Sequence, residues 1–385
     1  MKKLNKLTIV LAVMVLTITA INAQTYVDYK ITTWNVEWLS CLNYGPKDRE
    51  RQINNVVAVI KEMNSDIVAL QEVGTGNAYK TIDTLVKRLG NEWDGHIVPW
   101  DNNNCSQNQG IVYKKSKIQL ISSLLITNGG SAYNWSSGRY PVLYDVDLTT
   151  EKNRIPVAFI NIHAKAYSDE QSYMRRRDAS IALDNYLKST VLYNQGVVII
   201  GDYNDYLIGT TCSSCGGISP YKNFIDDGAH YKGLTAELID PYYHNSTIDN
   251  IIISYKLFNN YLNNSVFIEL PATQIIPNYR NTTSDHYPIS VTLRINEEVS
   301  ITDLPALNDI KVYPNPASYE LQVTSYELQV NSIEIFDIYG RKQSSHHHII
   351  TSSHHTIDIS HLQPGFYFVK IKTDFGEVVK KVVKQ

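Results

Sequence analysis

Along the first three-quarters of the chain, short apolar runs stop abruptly on polar residues, and stretches of helical period separate them. The clearest run is Val197-Val198-Ile199-Ile200, whose β-branched residues predict a short strand buried on both faces. It ends at Gly201 and continues as Asp202-Tyr203-Asn204-Asp205. Alternation along an extended chain would place Asp202 and Asn204 on one side, with Asp205 as a turn residue. Other runs end the same way. Ile31-Thr32-Thr33-Trp34 leads into Asn35-Val36-Glu37, Ile67-Val68-Ala69-Leu70 into Gln71-Glu72, and Val157 to Ile162 into His163. Asp249 precedes Asn250-Ile251-Ile252-Ile253, and Ser284-Asp285-His286 precedes Ile289-Ser290-Val291. One polar strand end is ordinary; a repeated set of acids, amides and imidazoles is difficult to explain as unrelated loops.

Three segments carry helical period. Arg51 to Met63 places Ile53, Val56, Val57 and Ile60 on one face, and Ala78 to Leu89 does so with Ile82, Leu85 and Leu89. Tyr173 to Leu187 presents Ile181, Leu183, Tyr186 and Leu187. Strands alternating with helices predict an α/β domain with helices covering β-sheets. Beyond residue 310 the helical period disappears. Short β runs are separated by turn signals at Tyr313-Pro314-Asn315-Pro316, Ile338-Tyr339-Gly340-Arg341 and Leu362-Gln363-Pro364-Gly365, which predicts a small all-β sandwich. Ser318 to Val323 recurs as Ser325 to Val330, read as a local duplication. The expected boundaries are 1–23, 24–297, 298–309 (a polar linker) and 310–385.

The start of the chain is basic, followed by an apolar run from Leu7 to Ile21 and then Asn22-Ala23-Gln24. This pattern predicts a secretory signal peptide over residues 1–23, with a membrane anchor as the alternative. The run is shorter than the roughly 20 residues a span requires, and no later segment could cross a bilayer. Export suits an even set of cysteines, Cys41, Cys105, Cys212 and Cys215. The expected pairing is Cys41 with Cys105 and Cys212 with Cys215, one of three connectivities; half a zinc site at Cys212-Cys215 lacks a second close pair. Residues 24–297 hold 24 Lys and Arg against 28 Asp and Glu, a net of −4. Charge alone therefore does not indicate a tight grip on nucleic acid, although a bound divalent cation would add positive charge locally. Six of the eleven histidines lie in the tail, among them His346-His347-His348 and His354-His355, and read as a solvated polar loop.

Asn35 with Glu37, Gln71-Glu72, His163, Gly201-Asp202-Tyr203-Asn204, Asp249 and Ser284-Asp285-His286 occur in the order of the endonuclease/exonuclease/phosphatase superfamily. The resemblance spans about residues 27 to 295. It implies a four-layer α/β sandwich, two mixed sheets with outer helices, and cleavage of phosphate esters with a divalent cation, usually magnesium, with manganese or calcium as alternatives. A hard cation held by oxygen ligands neutralises the ester's charge and stabilises the leaving oxygen. By the resemblance, Glu72 with Asn35 would hold the metal, with Glu37 and Asp285 as second or water-mediated ligands. Asp202 would orient or deprotonate the attacking water. Asn204 would donate to the phosphate or that water. His286, paired with Asp249, would donate to a non-bridging oxygen, and His163 would sit on the phosphate from the opposite side. Arg139 resembles a phosphate-proximal arginine, a structural ion pair being the alternative. Relatives support the first histidine with a carboxylate near Gly110 to Tyr113; here Ser106-Gln107-Asn108-Gln109 contains no acid, which puts a general-acid role for His163 in doubt. Arg175-Arg176-Arg177 is read as a solvated face or as salt bridges to Asp169, Glu170 and Asp178.

The tail resembles the type IX secretion sorting domain of Bacteroidetes. The resemblance rests on Val312 to Pro316, Ile335 to Arg341, Leu362 to Tyr367 and the basic end at Lys380, Lys381 and Lys384. It implies handling by that machinery and a secreted or surface location. The leading expectation is an exported, monomeric, metal-dependent phosphodiesterase acting on DNA or RNA. The alternatives are a sphingomyelinase-like lipid phosphodiesterase, an inositol phosphate phosphatase, or a non-catalytic surface binding module. Exposed aromatic loops would favour lipid, and Lys/Arg clusters inositol phosphates; neither is evident in the sequence.

Overall fold

The computed structural model describes residues 25–41, 43–75, 80–101, 103, 105–297, 310–325, 330–347, 354–373 and 376–385. The expected signal peptide, the 298–309 linker, residues 326–329 of the duplication and His348 lie outside them. The chain divides into two compact units, residues 1–297 and 298–385.

The first unit holds two six-stranded mixed sheets. One contains β1 (Tyr26–Leu39), β2 (Ile67–Val73), β3 (Trp93–Ile97), β4 (Asn108–Lys114), and two strands from the end of the unit, β11 (Phe267–Ile268) and β12 (Ile289–Asn296), in the order β11-β12-β1-β2-β4-β3. The other contains β5 (Ile118–Leu125), β6 (Val142–Thr149), β7 (Arg154–His163), β8 (Gly196–Asp202), β9 (Tyr231–Gly233) and β10 (Asp249–Ser254), in the order β5-β6-β7-β8-β10-β9. β1 and β2 run parallel, as do β7 and β8.

The two-residue side-chain period explains the layering. Ile31, Ala69, Phe159, Ile200 and Ile251 point between the sheets and share one core. Their neighbours Val68 and Leu70 point outward against α1 (Arg49–Met63) and α2 (Lys80–Leu89), while Ile160 and Ile199 pack with α3 (Glu170–Lys188). The result is the expected four-layer sandwich. α1 begins two residues and α3 three residues before the sequence-based starts, at the N-caps Asp48 and Asp169, whose side chains accept from Arg51 N and Ser172 N. Ile181 departs from its expected face and is 43% exposed, whereas Leu183 and Leu187 are buried. The disulfides are Cys41–Cys105 and Cys212–Cys215, as expected.

The second unit is all antiparallel. β13 (Lys311–Tyr313), β14 (Glu320–Thr324) and β17 (His354–Asp358) form one sheet. β16 (Lys342–His347), β15 (Val330–Asp337), β18 (Gly365–Thr373) and β19 (Gly376–Lys384) form the other, in that order. The solvated-loop reading of the histidines is corrected here: His346 and His347 belong to β16, His354 and His355 belong to β17, and His355 is buried. Among the described residues no helix is long and apolar enough to cross a membrane.

Candidate active site

The same alternation that builds the inter-sheet core builds the site. One or two steps beyond Ile31, Ala69, Phe159, Ile200 and Ile251, the inward positions at the strand ends are polar: Asn35, Gln71, Asn161 and His163, Asp202, Asp249. Register aligns them, with Asn35 opposite Gln71, His163 opposite Asp202, and Asp202 opposite Asp249. Gly201 (φ 145°) is required at the β7–β8 contact, because a Cβ there would lie 2.0 Å from the Ile162 carbonyl oxygen.

Glu72 and Glu37 arrive differently. β1 carries an irregularity between Asn35 and Leu39, and β2 one between Leu70 and Val73. Glu37, Trp38 and Glu72 have φ values of 46°, 54° and 60°, a sparsely populated region for such residues. These bulges re-aim the carboxylates. The Trp38 N–H donates to Glu72 at 3.0 Å, and Gln52 of α1 donates to the Val36 and Glu37 carbonyls at 2.9 and 2.8 Å. The sequence reading did not single out Gln52; its only signal is an amide on the buried face of an amphipathic helix.

Asn35 links two carboxylates. Its Nδ2 donates to Glu72 at 3.1 Å and to Asp202 at 2.9 Å, while its Oδ1 accepts from the Glu37 N–H at 3.0 Å. Ser284 donates to the Asn35 carbonyl at 2.6 Å and accepts from the His286 N–H at 3.0 Å, which fastens the His286 loop to β1. Burial pushes Glu72 above the carboxylate range, against the pull of Asn35. Burial and the nearby charges of Asp285 and Glu72 push Glu37 to about 7. Its buried Oε2 has no hydrogen-bond partner. Asp285 itself is half exposed.

His286 Nδ1 lies 2.6 Å from Asp249 Oδ2. Burial opposes the imidazolium, but Asp249's charge and hydrogen bond, with Asp202 and Asp285, outweigh it and raise the pKa well above the ordinary 6.5. Nε2 is 3.9 Å from both Asp202 and Asp285, too far to be bonded, so its proton faces the site. Asp202 is pushed to about 6 by burial, with Asp249's charge adding and His286 opposing. An Asp249→Asn exchange should lower the His286 pKa, because the largest charge offsetting burial is then gone and only those of Asp202 and Asp285 remain. Titration of the imidazole by NMR checks this; an unchanged value would show that Asp249 does not hold the imidazole protonated.

His163 Nε2 lies 3.5 Å from Asp202 and 3.6 Å from Glu72. Burial, then the charges of Arg139 and His286, hold it well below 6.5 and so neutral. No carboxylate stands behind it, since its Nδ1 has no partner. Asn108 is engaged with Val73 and Ser106, Gln109 with Tyr140, and Gln107 with Arg139. A neutral ring with a bare Nδ1 carries its proton on Nε2, which makes His163 a hydrogen-bond donor.

Other expectations are revised. Arg139 is buried and donates to the His163 and Ala164 carbonyls at 2.9 and 2.8 Å and to Gln107, so it braces the end of β7, through hydrogen bonds and not through the alternative ion pair. Strand β8 ends at Asp202, so Asn204 is not placed by strand alternation. It turns at φ 52°, donates its N–H to Asp202 Oδ1 at 2.8 Å and its Nδ2 to the Ala164 carbonyl at 3.2 Å. Asp205 is more than a turn residue: within the bend after β8 it is fully buried and paired with Arg176 at 2.7 Å. Arg177 pairs with Asp178, as one of the expected bridges.

Two groups have metal-ligand spacing, Glu72-His163-Asp202 and Asp202-Asp249-His286. In the second, the raised pKa of His286 keeps its imidazole protonated, without a lone pair for an ion. On the opposite flank of Asp202, Glu72 with Glu37 and its unpartnered oxygen offers the oxygen set a hard cation needs.

The sequence profile of the Endonuclease/Exonuclease/phosphatase family matches residues 32–286, and that of the secretion system C-terminal sorting domain matches residues 311–385. No curated protein matches the chain. Among similar solved structures is an endonuclease/exonuclease/phosphatase from Bacteroides vulgatus, 17% identical, covering 69% of this chain and 98% of its own, with a TM-score of 0.49. The catalytic domain of human nocturnin is 15% identical over 71% of this chain and 97% of its own, with a TM-score of 0.46. A mannosyl-6-phosphatase from Bacteroides thetaiotaomicron is 14% identical over 68% and 98%, also at 0.46.

Proposed function

The chain belongs to the endonuclease/exonuclease/phosphatase family, and on that premise we propose that it is an exported phosphodiesterase that hydrolyses nucleic acid outside the cell. Members of that family are metal-dependent phosphoesterases, and the sorting domain marks the chain for type IX secretion to the cell surface or medium. One observation carries the reading: Asp202 stands between a charged donor, His286, and the Asn35–Glu72 pair. Around that point stand five carboxylates, Glu37, Glu72, Asp202, Asp249 and Asp285, and one imidazolium. Such a site repels an anionic ester until a cation balances it. Glu72 and Glu37 would hold that ion, with Asp285 beside Glu37. When bound, a divalent cation neutralises the phosphate and stabilises the leaving oxygen.

The chain's own groups divide the remaining work. Asp202, raised to about 6, takes a proton from the attacking water near neutral pH. His286 donates from Nε2 to a non-bridging oxygen and strengthens that bond as charge develops; Asp249 fixes its tautomer. His163 donates from its own Nε2 on the other side. Asn204 keeps Asp202 oriented through its N–H.

Cationic and aromatic groups, not evident together in the sequence, gather from distant segments at the site's edges. Lys165 Nζ lies 4.2 Å from the centre of the Tyr167 ring, two residues beyond His163. Arg280 lies 3.7 Å from the centre of the Tyr242 ring and donates to the Asp285 carbonyl. Exposed aromatics alone would suit a lipid; paired with cations, as Tyr167 and Tyr242 are, they suit a strand of phosphates with flat bases. Purified chain incubated with plasmid DNA, RNA, sphingomyelin and inositol phosphates should cleave nucleic acid with magnesium and nothing with chelator. Turnover of lipid or inositol phosphate alone, or activity surviving chelation, would overturn the proposal.

Metal binding should also displace a proton. Glu37, at about 7 without an ion, is mostly protonated at pH 6, and a ligand must be ionised. Magnesium affinity should therefore fall by up to tenfold per pH unit below about 7. Calorimetry at pH 6 in buffers of different ionisation enthalpy should report about one proton released per ion, and close to none at pH 8.5. Equal release at both would exclude Glu37 as a ligand.

A further inference from the structure

A cavity of about 430 Å³ opens beside Glu37, and its rim carries Lys47, Arg51 and Arg280. Among the described residues none of these three cations forms an ion pair. Lys47 and Arg51 flank the start of α1, where the positive end of the helix disfavours cations. Local acids do not offset them: Asp48 caps the Arg51 N–H at 3.0 Å, and Glu50 pairs with Arg88 at 2.9 Å. Three cations thus gather at one cavity without an ion-pair partner among the described residues, the Arg51 side chain donating only to the Pro277 carbonyl at 3.4 Å.

Arg280 ties this cavity to the catalytic centre and to an aromatic surface. It donates to the Asp285 carbonyl at 2.5 Å and to the Tyr243 hydroxyl at 3.3 Å, and it stacks on Tyr242. Tyr242 and Tyr243 meet edge to face at 4.9 Å and are 54% and 60% exposed. With Arg280 covering one side of Tyr242, the tyrosines still present free aromatic surface next to the cavity.

Resting on the phosphodiesterase reading above, we infer that Lys47, Arg51 and Arg280 form a subsite for a second phosphate of the substrate, with Tyr242 and Tyr243 as the platform for its base. The cavity adjoins the carboxylate proposed to hold the metal, so the phosphate it takes is a neighbour of the scissile one along the strand. The occupant is one nucleotide of a single-stranded segment. A multiply phosphorylated small molecule would use the cations and leave the tyrosines idle.

The test is binding, read by fluorescence anisotropy with full-length chain carrying Asp202→Asn, so that the probe survives. The probes are fluorescein-labelled hexathymidylate and the corresponding abasic hexamer. Lys47→Ala/Arg51→Ala should weaken both about tenfold. It should also flatten the dependence of log Kd on log salt by about 0.7, the loss of one single-strand phosphate contact. Tyr242→Leu/Tyr243→Leu keeps an apolar contact for Arg280 and should weaken hexathymidylate alone, by about tenfold. Wild-type-like binding by the Lys47/Arg51 variant overturns the subsite, as does failure of the parent to bind either probe. Equal effects of the tyrosine variant on both probes, or none on either, overturn the nucleotide assignment. Hydrolysis of bis(4-nitrophenyl) phosphate by the unsubstituted chain reports separately on the chemistry. Hydrolysis without probe binding sinks only the subsite, and the predicted binding losses without hydrolysis sink only the enzymatic reading.

Discussion

Exchanging Asp202 for Asn should lower the rate of phosphodiester hydrolysis about a thousandfold, within the range for removing a general base, while making the catalytic unit more stable at neutral pH. The two effects share one cause. Asp202 is buried, and its pKa of about 6 is above the ordinary 3.8. The folded state therefore holds its proton where the unfolded state releases it. Stability is unpenalised below about pH 4, falls as pH rises toward 6, and stays reduced above it. A rise from 3.8 to about 6 corresponds to about 3 kcal/mol. Asparagine keeps the shape without the charge but can accept from only one of Asn35 and Asn204, so the gain at pH 7.5 is expected to be on the order of 1–2 kcal/mol. The cost of ionising Asp202 in a dry site is what makes it a usable base near neutrality. Urea denaturation in chelator and single-turnover assays with magnesium check the pair. A rate within tenfold of wild type would end the base assignment; a large loss of stability would mean that inactivity reports misfolding.

Much of this site was legible because strand periodicity is legible. Once Ile31, Ala69, Phe159, Ile200 and Ile251 are placed inward, Asn35 must be inward two steps on, and Gln71, Asn161, Asp202 and Asp249 one step on. Composition contributed little, and the net charge of −4 pointed away from the basic groups that the fold gathers from residues 47, 51 and 280. What could not be read is what breaks the period. Glu72 reaches the site only because the backbone at Glu37, Trp38 and Glu72 adopts positive φ, and no local residue type announces such a bulge. Gln52 supports it from a helix whose apolar pattern hides one amide. Arg139 is ambiguous for a related reason. An arginine near a phosphate site and an arginine holding the carbonyls of His163 and Ala164 look alike until the end of β7 is placed in space.

The Arg176–Asp205 pair was invisible in sequence for want of any signal linking positions 29 apart, and it carries the largest expected effect on stability. Arg176 is wholly buried and donates to Asp205 Oδ2 at 3.1 and 2.7 Å and to the Lys165 and Tyr167 carbonyls at 2.8 and 2.6 Å. Asp205 also accepts from Thr210, and from the backbone N–H groups of Tyr206 and Thr211. Asp205→Ala would strand the guanidinium in the interior and free those donors, at a cost of about 3–5 kcal/mol, a large share of a typical domain's stability. The pair clamps the Lys165 to Tyr167 segment after His163 against the turn after Asp202, so the lost stability should bring a lost rate. Replacing both charges, as Arg176→Met with Asp205→Leu, should recover part of the stability, because no buried charge then lacks a partner, while the Tyr206 and Thr211 N–H groups and the Lys165 and Tyr167 carbonyls stay without theirs. Urea transitions of the catalytic unit give both values. A single-variant loss below about 1 kcal/mol would show that water reaches Arg176. Recovered stability without recovered rate in the double variant would locate the pair's role in positioning His163 and Asn204, which both contact the carbonyl-bearing strand end that Arg176 and Arg139 hold from two sides.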